Sequence, residues 1–284
     1  MIVSFHPCIE IGIQSIIHAQ QLTREQVDLI KCASAIILPQ GITPDIYHCC
    51  RKTCKNVFPN YDHRFPGEGK VGDAILCKHF RLPHPRTEVY GRVEHFIEKH
   101  LKKGHPLPFK YPFVLKANQG GEGNMVFLIK GENELTERIF LLIDSQEHAR
   151  YPGMVVQEYI NTGGKDLRVI VIHRKRFYFW RIQPDPMKWK TNVSEGSVID
   201  FNVAPATREA IGWYLEPFLK KTGINLAAID VLFRNEKPLF LEINYYFGRR
   251  ALGGSDRFYS ILRDEVEHWL TSVVGPHWAE YNEW

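Results

Sequence analysis

The chain has 284 residues, 44% apolar and 24% charged, with a net charge of +4, the balance of a globular protein rather than a disordered or fibrous one. Its opening residues, Met1-Ile-Val-Ser-Phe-His-Pro, lack the basic and then apolar pattern of an export signal, and no stretch reaches the roughly 20 apolar residues of a membrane span. A cytoplasmic location, no membrane partner and reduced thiols are therefore expected.

In chain order, short alternations come first: a strand Ile2–Phe5, a helix around Arg24–Cys32, a strand Ala35–Leu38 and a helix opened by Thr43-Pro44-Asp45. Proline suits the first turn of that helix. A polar stretch from Asn60 to Gly67 closes this small α/β unit, so residues 1–66 are expected to stand apart from residues 67–284. Cys49, Cys50 and Cys54 invite a metal reading. No second Cys/His pair follows at zinc-ligand spacing, and ordinary packing is the expectation.

Helices are predicted from about Lys70 to Phe80 and from about Glu88 to Leu101, around the turn Pro83-His84-Pro85. Strands then dominate: Phe113–Ala117, Met125–Ile129, Met154–Ile160, Leu167–Ile172 and Phe177–Ile182, interrupted by a helix around Glu134–Ile143. Their β-branched and aromatic content supports that reading. A helix Thr207–Thr222 ends at Gly223, a fitting C-cap, and strands Ala227–Phe233 and Leu239–Asn244 precede a last helix capped by Ser255-Asp256 and reaching Val273. Strands and helices in groups imply an α+β fold with largely antiparallel sheets.

The segment Ile229–Asn244 reads as an antiparallel hairpin. With the turn centred on Glu236, Asp230 lies opposite Glu242, and Asn244 shares the face of Glu242. Leu232 and Phe240 complete that face. Two carboxylates side by side repel unless a cation neutralises them. Carboxylate and amide oxygens favour Mg²⁺ or Mn²⁺ over zinc. The competing reading is a solvated polar face, which would put further polar residues there rather than Leu232 and Phe240.

A cation held by few protein oxygens shares its shell with substrate phosphates. Lys116 sits in an apolar strand and is followed by Asn118-Gln119-Gly120-Gly121-Glu122-Gly123, a loop whose backbone N–H groups can approach phosphate oxygens. It is not a Walker loop, since no Gly-Lys-Ser/Thr ends it. Basic residues between Lys165 and Lys190 are interleaved with apolar strands. That pattern suits a concave nucleotide site better than a nucleic-acid stripe.

In this order the motifs resemble the ATP-grasp superfamily, most closely its RimK-like and glutathione-synthase-like ligases. The resemblance runs from about Lys70 to Gly248. Lys70 before Pro85-Arg86-Thr87 resembles the first ATP-grasp lysine; Lys116 with Gly121 and Gly123 resembles the second lysine and its phosphate lid. Gln157-Glu158-Tyr159-Ile160 is similar to the hinge that holds adenine, and Asp166-Leu-Arg168-Val to the strand whose acid meets the ribose. Arg181, Lys190 and Asn192 are similar to the region facing the transferred phosphate, and Asp230, Glu242 and Asn244 to the metal ligands.

The resemblance implies an ATP-grasp fold, two α+β subdomains gripping ATP, with a lid over about residues 107–160 behind the small front unit. It implies ATP and Mg²⁺ as cofactors and an acylphosphate route joining a carboxylate substrate to an amine or thiol. Lys70 and Lys116 would hold phosphates, while Arg181, with Arg168 or Lys190, would stabilise the transferred phosphoryl group. The run Tyr245–Gly254 departs from the family pattern of small residues and Pro-Gly. Arg249 or Arg250 there could clamp a substrate carboxylate, or the segment could be a surface loop. Lys190 stands where an arginine is usual. Other ATP-grasp chemistry, a nucleotide-binding module without catalysis and an RNA-binding protein are the alternatives, and a homo-oligomer is left open.

Overall fold

The computed structural model describes residues 1–120, 123–147 and 149–279. The front of the chain comprises β1 (Ile2–Ser4), β2 (Ile13–Gln14), α1 (Arg24–Cys32), β3 (Ala35–Ile37), α2 (Pro44–Thr53) and β4 (Val57–Phe58). These strands form a parallel sheet in the order β2-β1-β3-β4. Thr23 caps α1 in a capping box with Gln26. Cys50 and Cys54 are buried in the core on one side of this sheet, and Cys49 packs against it.

Next come α3 (Lys70–His79), β5 (Thr87–Tyr90), α4 (Val93–Phe96, continued by a wider-wound turn Ile97–Lys102), β6 (Phe113–Ala117), β7 (Val126–Ile129), α5 (Glu132–Glu147) and β8 (Met154–Glu158). β5 corrects the expected helix from Glu88: Thr87–Tyr90 pairs antiparallel with Met154–Gln157, far along the chain. A four-residue stretch takes its conformation from such a partner rather than from its own propensity. The second sheet has the order β5-β8-β6-β7. Phe113, Leu115, Met154 and Val156 turn one face onto Phe96, Leu135 and Ile139 of α4 and α5.

The third sheet is antiparallel throughout. It contains β9 (Lys165–Ile172), β10 (Lys175–Ile182), β11 (Val198–Asp200), β12 (Leu226–Arg234) and β13 (Lys237–Asn244), in the order β11-β10-β9-β12-β13. α6 (Pro205–Thr222) packs on one face and α7 (Ser255–Val274) on part of the other. Gly254, not Ser255, occupies the cap position of α7, and no side chain caps it.

Strand alternation sorts β9 between the faces. Leu167, Val169 and Val171 enter the core shared with α6 and the front sheet. Ile170 and Ile172 enter the core under α7. Asp166 and Arg168 have the same parity as these isoleucines but lie at the other end of the strand, beyond that core. That open half of the sheet, opposite the second sheet, is where the candidate site lies.

Candidate active site

The geometry begins with one irregularity. β12 and β13 are joined by Asn235 and Glu236, both with positive φ (49° and 65°), the two-residue turn that suits a twisted hairpin. This turn sets Arg234 against Lys237 and Val231 against Phe240. Continued unbroken, that register would place Asp230 against Leu241. A bulge between Asp230 and Val231 shifts the pairing by one residue, and Asp230 faces Glu242 instead. The expected pairing is therefore reached through a different turn. Phe240 moves off the site face into the core at 1% exposure, and Leu241 takes its place beside Leu232.

Cross-strand pairing extends this pair into a row. Phe179 on β10 faces Arg168 on β9, Arg168 faces Asp230, and Asp230 faces Glu242. Two residues along, Ile199 faces Arg181, which faces Asp166. The charges then join diagonally. Arg168 forms two parallel bonds to Asp230, at 2.7 and 2.8 Å. Arg181 bonds both oxygens of Asp166 and also reaches Asp230 Oδ2 at 3.0 Å. Thr191 Oγ1 donates to Asp166 Oδ2 at 2.6 Å.

Two acids and two arginines thus form a closed, buried network. Burial alone would raise the Asp230 carboxyl, but the Arg168 and Arg181 guanidiniums hold it at about 2. Asp166, with one arginine instead of two, is pushed up by burial. Sequence reasoning assigned Asp166 to a ribose and the arginines to a transferred phosphate. In the fold, Asp166 is 2% exposed with both oxygens engaged. Its immediate partners are Arg181 and Thr191, and it lines the cleft beside them. Arg168 and Arg181 line the cleft while tied to the acids.

Across the cleft, the second sheet presents cations with neutral partners. Lys116 is 6% exposed, and its Nζ donates to Gln157 Oε1 at 2.8 Å. Burial lowers its pKa to about 8 against the opposing pull of Glu242. Lys70 opens α3 and donates to the Gly120 carbonyl at 2.9 Å. The two lysines meet because α3 starts against the end of β6: Lys70 N–H bonds Asn118 O, and Val71 N–H bonds Asn118 Oδ1. Gly69 permits this approach. Its φ is +104°, and a Cβ there would lie 2.5 Å from Asn118 Oδ1.

The glycine loop is also clasped from the third sheet. Lys190 Nζ donates to the Gly123 carbonyl at 2.9 Å, and a Cβ on Gly123 would meet Asn192 Oδ1 at 3.0 Å. Gly121 lies outside the described residues. At the end of β8, Glu158 Oε1 accepts from Arg86 N–H and Arg234, and Oε2 from Arg86 Nε. The Tyr159 ring packs edge-on against Trp189.

One cleft of about 880 Å³ gathers the acids, arginines and lysines of both sheets. It is lined by Lys70, Lys116, Gly123, Gln157, Glu158, Tyr159, Ile160, Asp166, Arg168, Arg181, Lys190, Asn192, Asp230, Glu242, Asn244, Arg249 and Arg250. Its volume suits a small-molecule site. Asn244 Nδ2 approaches Asp230 Oδ2 at 3.5 Å, which leaves its carbonyl oxygen free beside Glu242. Such an oxygen donor set fits a hard divalent cation. Among the described residues, no group of three or more His, Cys, Asp or Glu side chains forms a metal cluster, so the amide would be needed as a donor.

Sequence reasoning missed Asp73. It lies one turn after Lys70, at 8% exposure, and its Oδ2 accepts the N–H of Ile243, between Glu242 and Asn244. Burial, then the Glu242 charge, pushes its pKa up to about 8. The signal was an acid three residues after Lys70 on the same helix face. Also missed was the apolar end of the cleft, with Phe179, Ile199 and Phe247.

Comparison with known proteins places this geometry. A family model described as a RimK-like ATP-grasp domain matches residues 74–254. A curated relative named probable alpha-L-glutamate ligase, from Azotobacter vinelandii, is 28% identical over 173 residues, covering 58% of this chain and 54% of the relative. The chain thus spans about half the length of the curated relatives it matches. A D-alanine–D-alanine ligase from Bacillus anthracis, solved with ATP, superposes with a TM-score of 0.61 at 14% identity, covering 92% of this chain and 87% of that one. A RimK domain ATP-grasp protein from Sphaerobacter thermophilus gives 0.55 at 14% identity, covering 94% and 99%. These likenesses fix the fold as α+β ATP-grasp.

Proposed function

The chain belongs to the RimK-like ATP-grasp family, and from that premise we propose that its cleft binds ATP with a divalent cation and joins a carboxylate to an amine through an acylphosphate. One observation carries the proposal: Asp230, Glu242 and Asn244 share a face of the third sheet, in the same cleft as Lys70 and Lys116, cations with no ion pair among the described residues. Hard oxygens and phosphate-binding cations in one cleft suit a metal–triphosphate. The nucleotide in the Bacillus anthracis ligase structure supports the same choice.

In this reading Lys70, Lys116 and the backbone around Gly123 hold the phosphates. Gln157–Ile160, with Val114, Leu232 and Leu241, form the adenine slot. Glu242, Asn244 and Asp230 would hold a divalent cation, Asp230 through an oxygen that its arginines leave with a free lone pair, and the cation would neutralise phosphate charge. A substrate carboxylate oxygen attacks the γ-phosphorus, the bond to the β–γ bridging oxygen breaks, and ADP leaves. An amine nitrogen then attacks the acyl carbon, the C–O bond to phosphate breaks, and the amine gives up a proton. Arg181 and Arg168 sit beside this charge transfer in fixed positions, and Lys190 holds the glycine loop over it. Little covalent work falls to the protein, so rate depends on positioning and charge.

A front unit of residues 1–66, a catalytic unit of 67–284 and a lid over about 107–160 belong to the same proposal. The test is ADP release from Mg-ATP with pools of amino acids and short peptides. Stimulation by at least one pool is expected. No stimulation by any pool, together with no ATP binding, would overturn the reading.

A further inference from the structure

The cations of the cleft divide into three groups. Arg168 and Arg181 belong to the acid network, and Lys190 lies 3.6 Å from Glu195. Lys70 and Lys116, near the glycine loop, have no carboxylate within 4 Å among the described residues. Arg249 and Arg250 form the third group, on the segment that follows Asn244. They too have no carboxylate within 4 Å among the described residues. Among the described residues, cations of the cleft without a carboxylate partner therefore lie in two groups, one suited to a triphosphate and one left for a second anion.

Arg249 is held in place. Its guanidinium lies 4.5 Å over the Tyr259 ring and 4.8 Å over Phe258, and Nη1 lies 3.4 Å from Ser255 Oγ. His6 of the front unit backs Tyr259 edge-on at 5.5 Å. A stacked guanidinium loses little freedom when it grips a carboxylate in two-point fashion. Arg250 is exposed at the rim.

The wall that shares this end of the cleft is apolar. Phe179 and Phe247 are 3% and 6% exposed, fixed in the core under α7, and half-buried Ile199 packs against that core and lines the cleft. A second carboxylate against that wall would lose hydration, since the arginines paired across the strands from Phe179 and Ile199, Arg168 and Arg181, are already held by Asp230 and Asp166. A hydrocarbon side chain there would gain roughly 25 cal/mol per Å² of apolar area covered.

We propose that this end of the cleft takes a substrate with a carboxylate beside an apolar side chain: an apolar α-amino acid, or a peptide ending in one. The proposal rests on the ligase reading above and specifies its substrate class. Calorimetric titration of the full chain, first with Mg-ADP and then with L-phenylalanine, L-alanyl-L-phenylalanine, L-glutamate and L-phenylalaninamide, tests it. The acid or dipeptide with the phenyl group should bind about tenfold or more tighter than glutamate, and amidation should remove that affinity. Ile199→Lys should reverse the order of phenylalanine and glutamate. Preference for glutamate, equal binding of the amide, or no binding by any of the four overturns the proposal when Mg-ADP binds. Failure of Mg-ADP itself to bind overturns the ligase reading on which the proposal depends.

Discussion

The two antiparallel sheets that face the cleft bring charge to it in opposite ways. On the third sheet every ionised group of the network has an ionised partner: Asp166 with Arg181, and Asp230 with both Arg181 and Arg168. On the second sheet Lys116 rests on a neutral glutamine, while Lys70 of the neighbouring helix rests on a neutral carbonyl. A closed network offsets its own desolvation and fixes geometry, while adding little net field. Lysines bound only by neutral oxygens keep their charge available and favour an anion's arrival. One side of the cleft holds shape; in the proposed function the other supplies affinity.

The sharpest way to break this contrast is Arg181→Ala. It leaves Asp166 and Asp230 short of a partner, and removing one member of a buried pair costs about 3–5 kcal/mol. A large fall in Tm is expected on thermal unfolding, with turnover falling further than ATP affinity. Asp166→Asn combined with Arg181→Met should cost clearly less than the sum of the single changes. Additive losses would mean that the network is not a unit.

Lys116→Met tests the other side and should give the opposite pattern: ATP affinity falls by roughly tenfold or more, the scale of a lost hydrogen bond to a charged group, with no loss of Tm. The pH dependence separates the two effects. Burial lowers Lys116 from 10.5 to about 8, so between these values the unfolded chain binds more protons than the folded one. The Lys116 contribution to stability, read as the difference between the unliganded protein and Lys116→Met, should therefore rise with pH across that window. ATP affinity should fall across it as the ammonium is lost. Calorimetry should find that fall in affinity absent from Lys116→Met, and denaturant unfolding of the two proteins side by side should give the stability difference.

The smallest expected effect is at the join between the two sheets. Arg234 on β12 reaches Glu158 at the end of β8 at 2.7 Å, and Arg86 reaches it at 2.9 Å. Arg234 and Arg86 are substantially exposed, so Arg234→Gln should cost only about 0.2–1 kcal/mol, and less at high salt. A drop comparable to that of Arg181→Ala would show that the Glu158 ion pairs, not the network, hold the cleft.

Read by itself, the sequence determined the α+β class, the antiparallel character of the later strands and the positions of the charged residues. α1 is predicted with its observed bounds because cap, periodicity and stop signal are all local. β6 likewise follows from an unbroken apolar run, and the oddity of Lys116 within it marks the cleft. The hairpin around Asn235-Glu236 was also legible, and with it the nearness of Asp230 to Glu242.

Only the tertiary structure decided what those charges hold. β5 exists because β8 offers it an edge, so its four residues carry no sufficient signal alone. The bulge at Asp230/Val231 is a fault in pairing, invisible to a pattern of period two, yet it selects Glu242 over Leu241 and buries Phe240. Arg168 and Arg181 look like free phosphate ligands along the chain; strand pairing hands them to Asp230 and Asp166. Asp73 gains its place only when α3 lies against β13. Residue type is local, but the partner that decides whether a charge is paired or free comes from another strand.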